Sequence, residues 1–329
     1  MTSAYNNSHT AADPPPDSPI ASEFVQGILP KGRFVPEVTP EPVPPACVDI
    51  NRPSVARVYD YFLDGTANWA IDREFGDRVL ARFPLLKQIA VANRLFLNRV
   101  VRHLTRIGVR QFLDVGAGVP TRGNTHEVAD EAAQSAGRDP DARVVYVDNE
   151  PIAVAHAEVL LNDVGDMNRH AVIHADLRDP DGLWRQALDT GVLNQDEPIA
   201  LLLIAVLHVH QPGKDGVTDI GPESVARLRE LLPRGSYLAI SHISDEGVPL
   251  ELADRLVELK RMYDASSSSK LIWRTRAEIA ALFDGFDLLE PGLTWTPEWH
   301  PEETGPSAMP IVFETPSHAI IRSGVGRKG

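Results

Sequence analysis

The residues best placed to do chemistry begin with Asp114, Gly116 and Gly118, in the stretch Gln111-Phe-Leu-Asp-Val-Gly-Ala-Gly-Val119. Residues 112–115 read as a buried strand that runs directly into a turn on the two glycines. Glycine reaches positive φ at no steric cost and has no Cβ, so the backbone of such a turn can press against a ligand. Strand, glycine turn and helix is how open α/β sheets hold nucleotide-like ligands, at the carboxyl ends of the strands. A pyrophosphate site asks for a third glycine three residues on, and Thr121 stands there behind Pro120. An acid on the strand followed by two glycines suits a ligand without phosphates, one that offers a cationic amino group to Asp114. S-adenosylmethionine is such a ligand; the alternative is a turn that binds nothing.

Two further acids stand where strands are expected to end. Asp148 closes the apolar run 143–147 about 30 residues beyond Gly118, where the second strand of such a fold offers a carboxylate to ribose hydroxyls. Asp176 follows the run 171–175, in Ala-Asp-Leu-Arg-Asp-Pro180. Beyond the apolar run 199–206 comes His208, with His210 one pleat further and His242 after the strand expected at 237–240. A histidine there can take a proton from an acceptor, titrating near its ordinary value of about 6.5. Each is more readily read as a hydrogen-bonded loop histidine. His208 and His210 have no third ligand at suitable spacing, so no metal is expected. Tyr59 and Tyr61 either face a pocket or pack helices, and Arg122 either meets a ligand carboxylate or forms a surface ion pair.

Alternating strands and helices must position these groups. Residues 1–48 are proline-rich, with few large apolar side chains, and read as a disordered tail. Val55, Val58, Tyr59 and Phe62 recur at helical spacing, with Gly65 as the expected C-cap. Ile71, Phe75, Val79 and Leu80 predict a second helix, and the stripe from Leu85 to Leu104 a third and longest, ending near Gly108. These three make an N-terminal helical cap over 49–108. Its polar and aromatic link, Asp64-Gly-Thr-Ala-Asn-Trp69, is able to fold over a ligand. From 109 to 329, strands at 112–115, 143–147, 171–175, 199–206, 237–240, 286–289 and 319–322 alternate with helical stretches. The unbroken apolar run 199–206 reads as a central strand buried on both faces. The serines at 266–269 read as a flexible surface loop. The expected fold is α/β, a doubly wound, mostly parallel Rossmann-like sheet behind the helical cap.

Composition narrows the partners. A net charge of -14 argues against a nucleic-acid substrate, which asks for a basic face. The single cysteine, Cys47, excludes an internal disulfide and a cysteine-cluster zinc site, and suits a reducing cytoplasm. The longest apolar run, 199–209, is well short of the roughly 20 residues that span a bilayer. The N-terminus lacks the basic-then-apolar order of a signal peptide. The expected partner is a small-molecule substrate, with no nucleic acid and no membrane, in the cytoplasm.

Three acid-ended strands followed by a central strand ending in Leu-His resemble the class I S-adenosylmethionine-dependent methyltransferases. More closely, the chain is similar to an actinobacterial family of S-adenosyl methyltransferases long catalogued as a domain of unknown function. The similarity rests on Pro53-Ser-Val-Ala-Arg-Val-Tyr-Asp-Tyr61, Gln111-Phe-Leu-Asp114, Pro120-Thr-Arg-Gly-Asn-Thr-His-Glu-Val128, Val144-Val-Tyr-Val-Asp-Asn149, His174-Ala-Asp-Leu-Arg-Asp-Pro180 and Gly324-Val-Gly-Arg-Lys328. It spans roughly residues 50–328.

The resemblance implies that Asp114, Gly116 and Gly118 hold the methionine end of the cofactor. Asp148, with Asn149 beside it, would take the ribose, and Asp176 with Leu177 would meet the adenine. Ala205 and Val206 would line the sulfonium pocket, leaving His208 as the candidate base. The family loop usually reads Gly-Gly-Lys-Asp-Asn-Phe; residues 64–69 keep Gly65 and Asn68, the latter a lid contact, but lack the second glycine and the lysine. The implied activity is methyl transfer from S-adenosylmethionine to an unidentified small molecule. The changed loop and the unassigned base keep a cofactor-binding regulatory module as the alternative. A nicotinamide-dependent oxidoreductase is disfavoured by Thr121.

Overall fold

The apolar runs pair into one eight-stranded sheet, seen in a computed structural model that describes residues 51–120, 123–267, 269–305, 308 and 311–329. The proline-rich tail expected at 1–48 lies outside the described residues, as does Arg122. Strands β1 (Gln111–Val115), β2 (Arg143–Asp148), β3 (His170–His174), β4 (Ala200–Ile204) and β5 (Tyr237–Ile243) are parallel. β6 (Phe286–Leu288) and β7 (Thr294–Trp295) both pair antiparallel with β8 (Ile321–Lys328), which itself runs antiparallel to β5. The order is β3-β2-β1-β4-β5-β8-β6, so the chain reverses its direction of winding between β1 and β4. Ligands of open α/β sheets bind in the crevice at that reversal.

Successive side chains of a strand point to opposite faces. Leu113, Val145, Leu201 and Leu238 pack on one side with Trp184 of α6 (Pro180–Asp189) and Leu228 of α7 (Gly221–Leu231). Phe112, Val144, Leu202 and Ala239 pack on the other with α3 (Leu86–Arg106), α4 (Thr125–Ser135) and α5 (Pro151–Val164). Asp114 shares its face with Phe112, which turns its carboxylate toward α3 and α4. Both faces are covered, which is why β4 is apolar throughout.

The cap helices α1 (Val55–Phe62) and α2 (Ala70–Arg82) bury Val58, Phe62, Phe75 and Val79 against α8 (Leu250–Ser266). α3 is shared: Leu86 and Ile89 join that cluster, while Phe96, Val100 and Leu104 pack on the sheet. No helix among the described residues is long and apolar enough to cross a membrane.

Four local readings are corrected. β4 stops at Ile204, because Ala205 turns to φ 62° and its nitrogen bonds Ser241 Oγ at 2.9 Å. The last strand runs to Lys328 and not 322, with Gly326 fitting where a side chain would clash: a Cβ there would lie 2.9 Å from Phe286 Cβ. α8 extends to Ser266, and Ser267 is buried with its hydroxyl on Tyr263 O at 2.9 Å, so these two serines are not part of a free surface loop. The left-handed residue after α1 is Asp64, φ 58°, and not Gly65.

Candidate active site

The glycine turn after β1 is left-handed at both positions, φ 68° at Gly116 and 67° at Gly118. The two glycines serve different needs. A Cβ on Gly116 would lie 2.6 Å from Val206 Cγ2, so its absence lets the turn close onto the chain leaving β4. A Cβ on Gly118 would meet no atom within 4 Å, although Gly118 lines a cavity of about 420 Å³. That volume is typical of a small-ligand site.

Asp114 and Asp148 stand on the wall of this cavity. Asp114 is 5% exposed; one oxygen accepts from Thr125 Oγ1 at 2.6 Å, and no described group donates to the other. Burial raises its pKa, with Thr125 and the Arg94 charge opposing. Asp148 accepts from the Gly118 nitrogen at 2.7 Å and the Glu150 nitrogen at 2.9 Å, tying the end of β2 to the glycine turn. Burial raises its pKa too, against those amides.

Asn149, Leu177, Ala205, Val206 and His208 also line the cavity. Asp176 does not. It lies two residues past the end of β3, and the Arg178 guanidinium grips it with Nε 2.9 and 3.0 Å from its two oxygens. Asn68 is likewise not on the wall. Its amide donates to Asp60 Oδ2 at 2.8 Å and Gly65 O at 2.9 Å. A Cβ on Gly65 would fall 1.9 Å from Asp60 Oδ1. The two residues kept in the altered loop therefore both serve Asp60, which does line the cavity.

The cap is fastened to the site through Glu150 at the start of α5. Ser54 Oγ donates to Glu150 Oε2, and Arg57 bridges Glu150 and Asp72, at 2.7 Å to each. Sequence reasoning missed Ser54, Arg94 and Glu150, which line the cavity from the cap and the β2 turn. The spacing of the cap helices shows only which face is apolar, not which polar residues meet the sheet edge.

Tyr59 lines the cavity, its hydroxyl donating to Ala90 O at 3.1 Å and accepting from Asn93 Nδ2 at 3.0 Å. Tyr61 is turned away onto Asp77 at 2.6 Å. His208 is buried with Nδ1 lacking any partner. Burial, then the Arg274 charge, hold its pKa down at about 3, so it does not titrate near 6.5. His210 Nε2 lies 3.1 Å from Val217 O, and His242 is buried against Leu207 O and Arg274. Arg274 donates to Leu207 O at 2.6 Å and pairs with Asp219, whose other oxygen accepts from the Gln211 nitrogen at 2.9 Å. The loop 207–212 is thus pinned from behind while its front faces the cavity.

The arrangement fits a cationic, phosphate-free nucleoside: an acid with a free oxygen beside bare backbone, and a second acid one strand over. Comparisons with known proteins agree. The chain is 34% identical to a candidate methyltransferase from Thermobifida fusca YX, with a TM-score of 0.71 over 87% of this chain and 98% of that one. A DUF574 family protein from Streptomyces avermitilis MA-4680 is also 34% identical, with a TM-score of 0.71 over 84% of this chain and 98% of its own. No curated protein matches. Residues 42–329 match the family described as S-adenosyl methyltransferase, and the chain belongs to that family of S-adenosylmethionine-dependent enzymes.

Proposed function

We propose that the cavity at the β1–β4 reversal binds S-adenosylmethionine and directs its methyl group to a small, uncharged acceptor beside His208. The observation that carries this reading is the free oxygen of buried Asp114 next to the open backbone of Gly118. Asp114 accepts the cofactor's ammonium, Asp148 with Asn149 takes the ribose hydroxyls, and Leu177 packs on the adenine. Asp176 is near enough in the chain to reach the adenine edge if Arg178 releases it. Ala205 and Val206 wall the sulfonium. When bound, the cofactor supplies an electrophilic methyl group; the protein's part is to align the acceptor in line with it.

We assign the acceptor to the part of the cavity lined by Tyr59, Leu63, Leu97, Gln211 and Ser269, side chains that carry no charge; the two arginines of the lining, Arg94 and Arg178, are assigned to the cofactor end. A side chain with a pKa of about 3 is a poor general base near neutrality. His208 therefore acts as a neutral hydrogen-bonding wall that orients the acceptor. Removing its ring costs acceptor binding more than turnover. The regulatory-module alternative is not favoured by the family match, and no observation on the cavity argues for it.

The test is an acceptor screen of small phenols, amines and carboxylates followed by release of S-adenosylhomocysteine. On the acceptor found, His208→Ala should raise KM and leave kcat within about tenfold, with an unchanged pH profile. A kcat loss of roughly 10²–10⁴-fold would instead make His208 the base. Selection of anionic acceptors would contradict the uncharged-acceptor reading.

A further inference from the structure

An amino acid lying across the glycine turn brings a carboxylate as well as an ammonium, and several of the donors that open α/β sheets commonly offer it are already in use here. The turn's amides are spent inside the protein: those of Gly116 and Ala117 bond Val147 O at 2.9 and 3.2 Å, and that of Gly118 bonds Asp148. A helix N-terminus after such a turn is a ready anion site. At α4, however, the carboxylate of Glu127 takes the amides of Gly123 and Asn124 at 3.1 and 2.9 Å, and Tyr146 takes that of His126 at 3.0 Å. Of the two arginines on the cavity wall, Arg178 is held by Asp176.

Arg94 is different. It projects from α3 to the wall shared by the main cavity and a small one of about 10 Å³ that also touches Asp114, Gly118 and Thr125. Its Nε is buried without a partner, and its nearest hydrogen bond is a long one, Nη2 to Asn124 Oδ1 at 3.4 Å. No described carboxylate forms an ion pair with it, although its charge acts on Asp114, Tyr59 and Tyr146. A half-buried guanidinium whose neighbouring acid, Asp114, makes no ion pair with it leaves donors that a fork-shaped anion would satisfy.

We infer that Arg94 is the carboxylate anchor of the cofactor site, holding the methionyl carboxylate while Asp114 holds the ammonium of the same amino acid. The inference rests on the cofactor reading above and adds to it a residue of the cap helix. A cofactor zwitterion so held bridges α3 to β1, and the cap becomes part of the binding site.

The experiment is calorimetry on the full chain with two probes. S-adenosylhomocysteine carries both amino-acid charges, and its decarboxylated analogue keeps the amine alone. Arg94→Met should weaken S-adenosylhomocysteine roughly 10- to 150-fold, as loss of a charge-assisted pair implies, and leave affinity for the analogue unchanged. Arg94→Lys should recover part of the loss. Equal loss for both probes would assign Arg94 a structural role and overturn the inference, as would an Arg94→Met protein that binds both as wild type does. Should Arg94→Met fail to fold, Arg94→Lys must still show the selective loss, or the inference falls. Absence of wild-type binding to either probe would sink the cofactor reading itself, and the inference with it.

Discussion

Asp148 at the end of β2 accepts a 2.7 Å hydrogen bond from the backbone nitrogen of Gly118, in the turn that follows β1. One carboxylate thus fixes the shape of the glycine turn and, in the proposed site, is the group that would take the ribose hydroxyls. Its second oxygen holds the Glu150 amide at 2.9 Å, and Glu150 in turn ties down the cap through Ser54 and Arg57. Binding and fold are coupled through this residue.

Asp148→Ala should therefore do two things. Affinity for S-adenosylmethionine should fall by roughly 1.5–3 kcal/mol, the value of a lost charge-assisted hydrogen bond. The melting temperature of the free protein should fall as well, because two amides lose their acceptor at a cost of roughly 1–3 kcal/mol. Calorimetry and thermal melts check both, and wild-type affinity in the variant would remove Asp148 from the ribose site.

The two glycines separate folding from binding. Gly116→Ala sets a Cβ 2.6 Å from Val206 in a left-handed backbone, so it should destabilise the free protein by roughly 2–4 kcal/mol. Gly118→Ala meets nothing within 4 Å and incurs only the left-handed penalty of roughly 1–2 kcal/mol. Its added methyl group stands instead where the ligand passes, so its main effect should be weaker cofactor binding. Melting curves that rank the two variants the other way would contradict the assignment.

Acidification should weaken cofactor binding earlier than an ordinary carboxylate would allow. Burial raises Asp114 above the usual value of about 3.9, so in the free protein it holds a proton to higher pH. The ammonium binds the ionised form, hence affinity falls as pH drops through the raised value and levels off above it. Over that window binding releases a proton, visible as a dependence of the binding enthalpy on buffer. The folded free protein binds this proton more readily than the unfolded chain, so ionising Asp114 lowers stability as pH rises through the same window. Asp114→Asn should abolish Asp114's part in the pH dependence of affinity, leaving that of Asp148, which burial also raises.

Much of this was legible in the sequence because strands buried on both faces read as unbroken apolar runs and glycines with acids mark their ends. Asp114, Gly116, Gly118 and Asp148 were found in this way, and all four line one cavity. What local pattern could not reveal was side-chain pairing across the fold. Asn68 and Asp176 carry suitable groups, yet Asp60 and Arg178 engage them. Arg94 was invisible for the converse reason: one of four arginines in an amphipathic helix, it reads as part of a solvated face. The neutral state of His208 depends on burial and on Arg274, 66 residues away in the chain. β8 was cut short because Gly324 and Gly326, which fit it under Phe283 and Phe286, weaken a strand signal.

The central claim, that Asp114 and the glycine turn hold a cationic nucleoside, is tested most directly by calorimetric titration of wild-type protein and Asp114→Asn. S-adenosylmethionine should bind the wild type at one site per chain, compete with S-adenosylhomocysteine, and weaken roughly 10- to 150-fold in the variant. Equal affinity in the two proteins, or binding of NAD in place of S-adenosylmethionine, would contradict it.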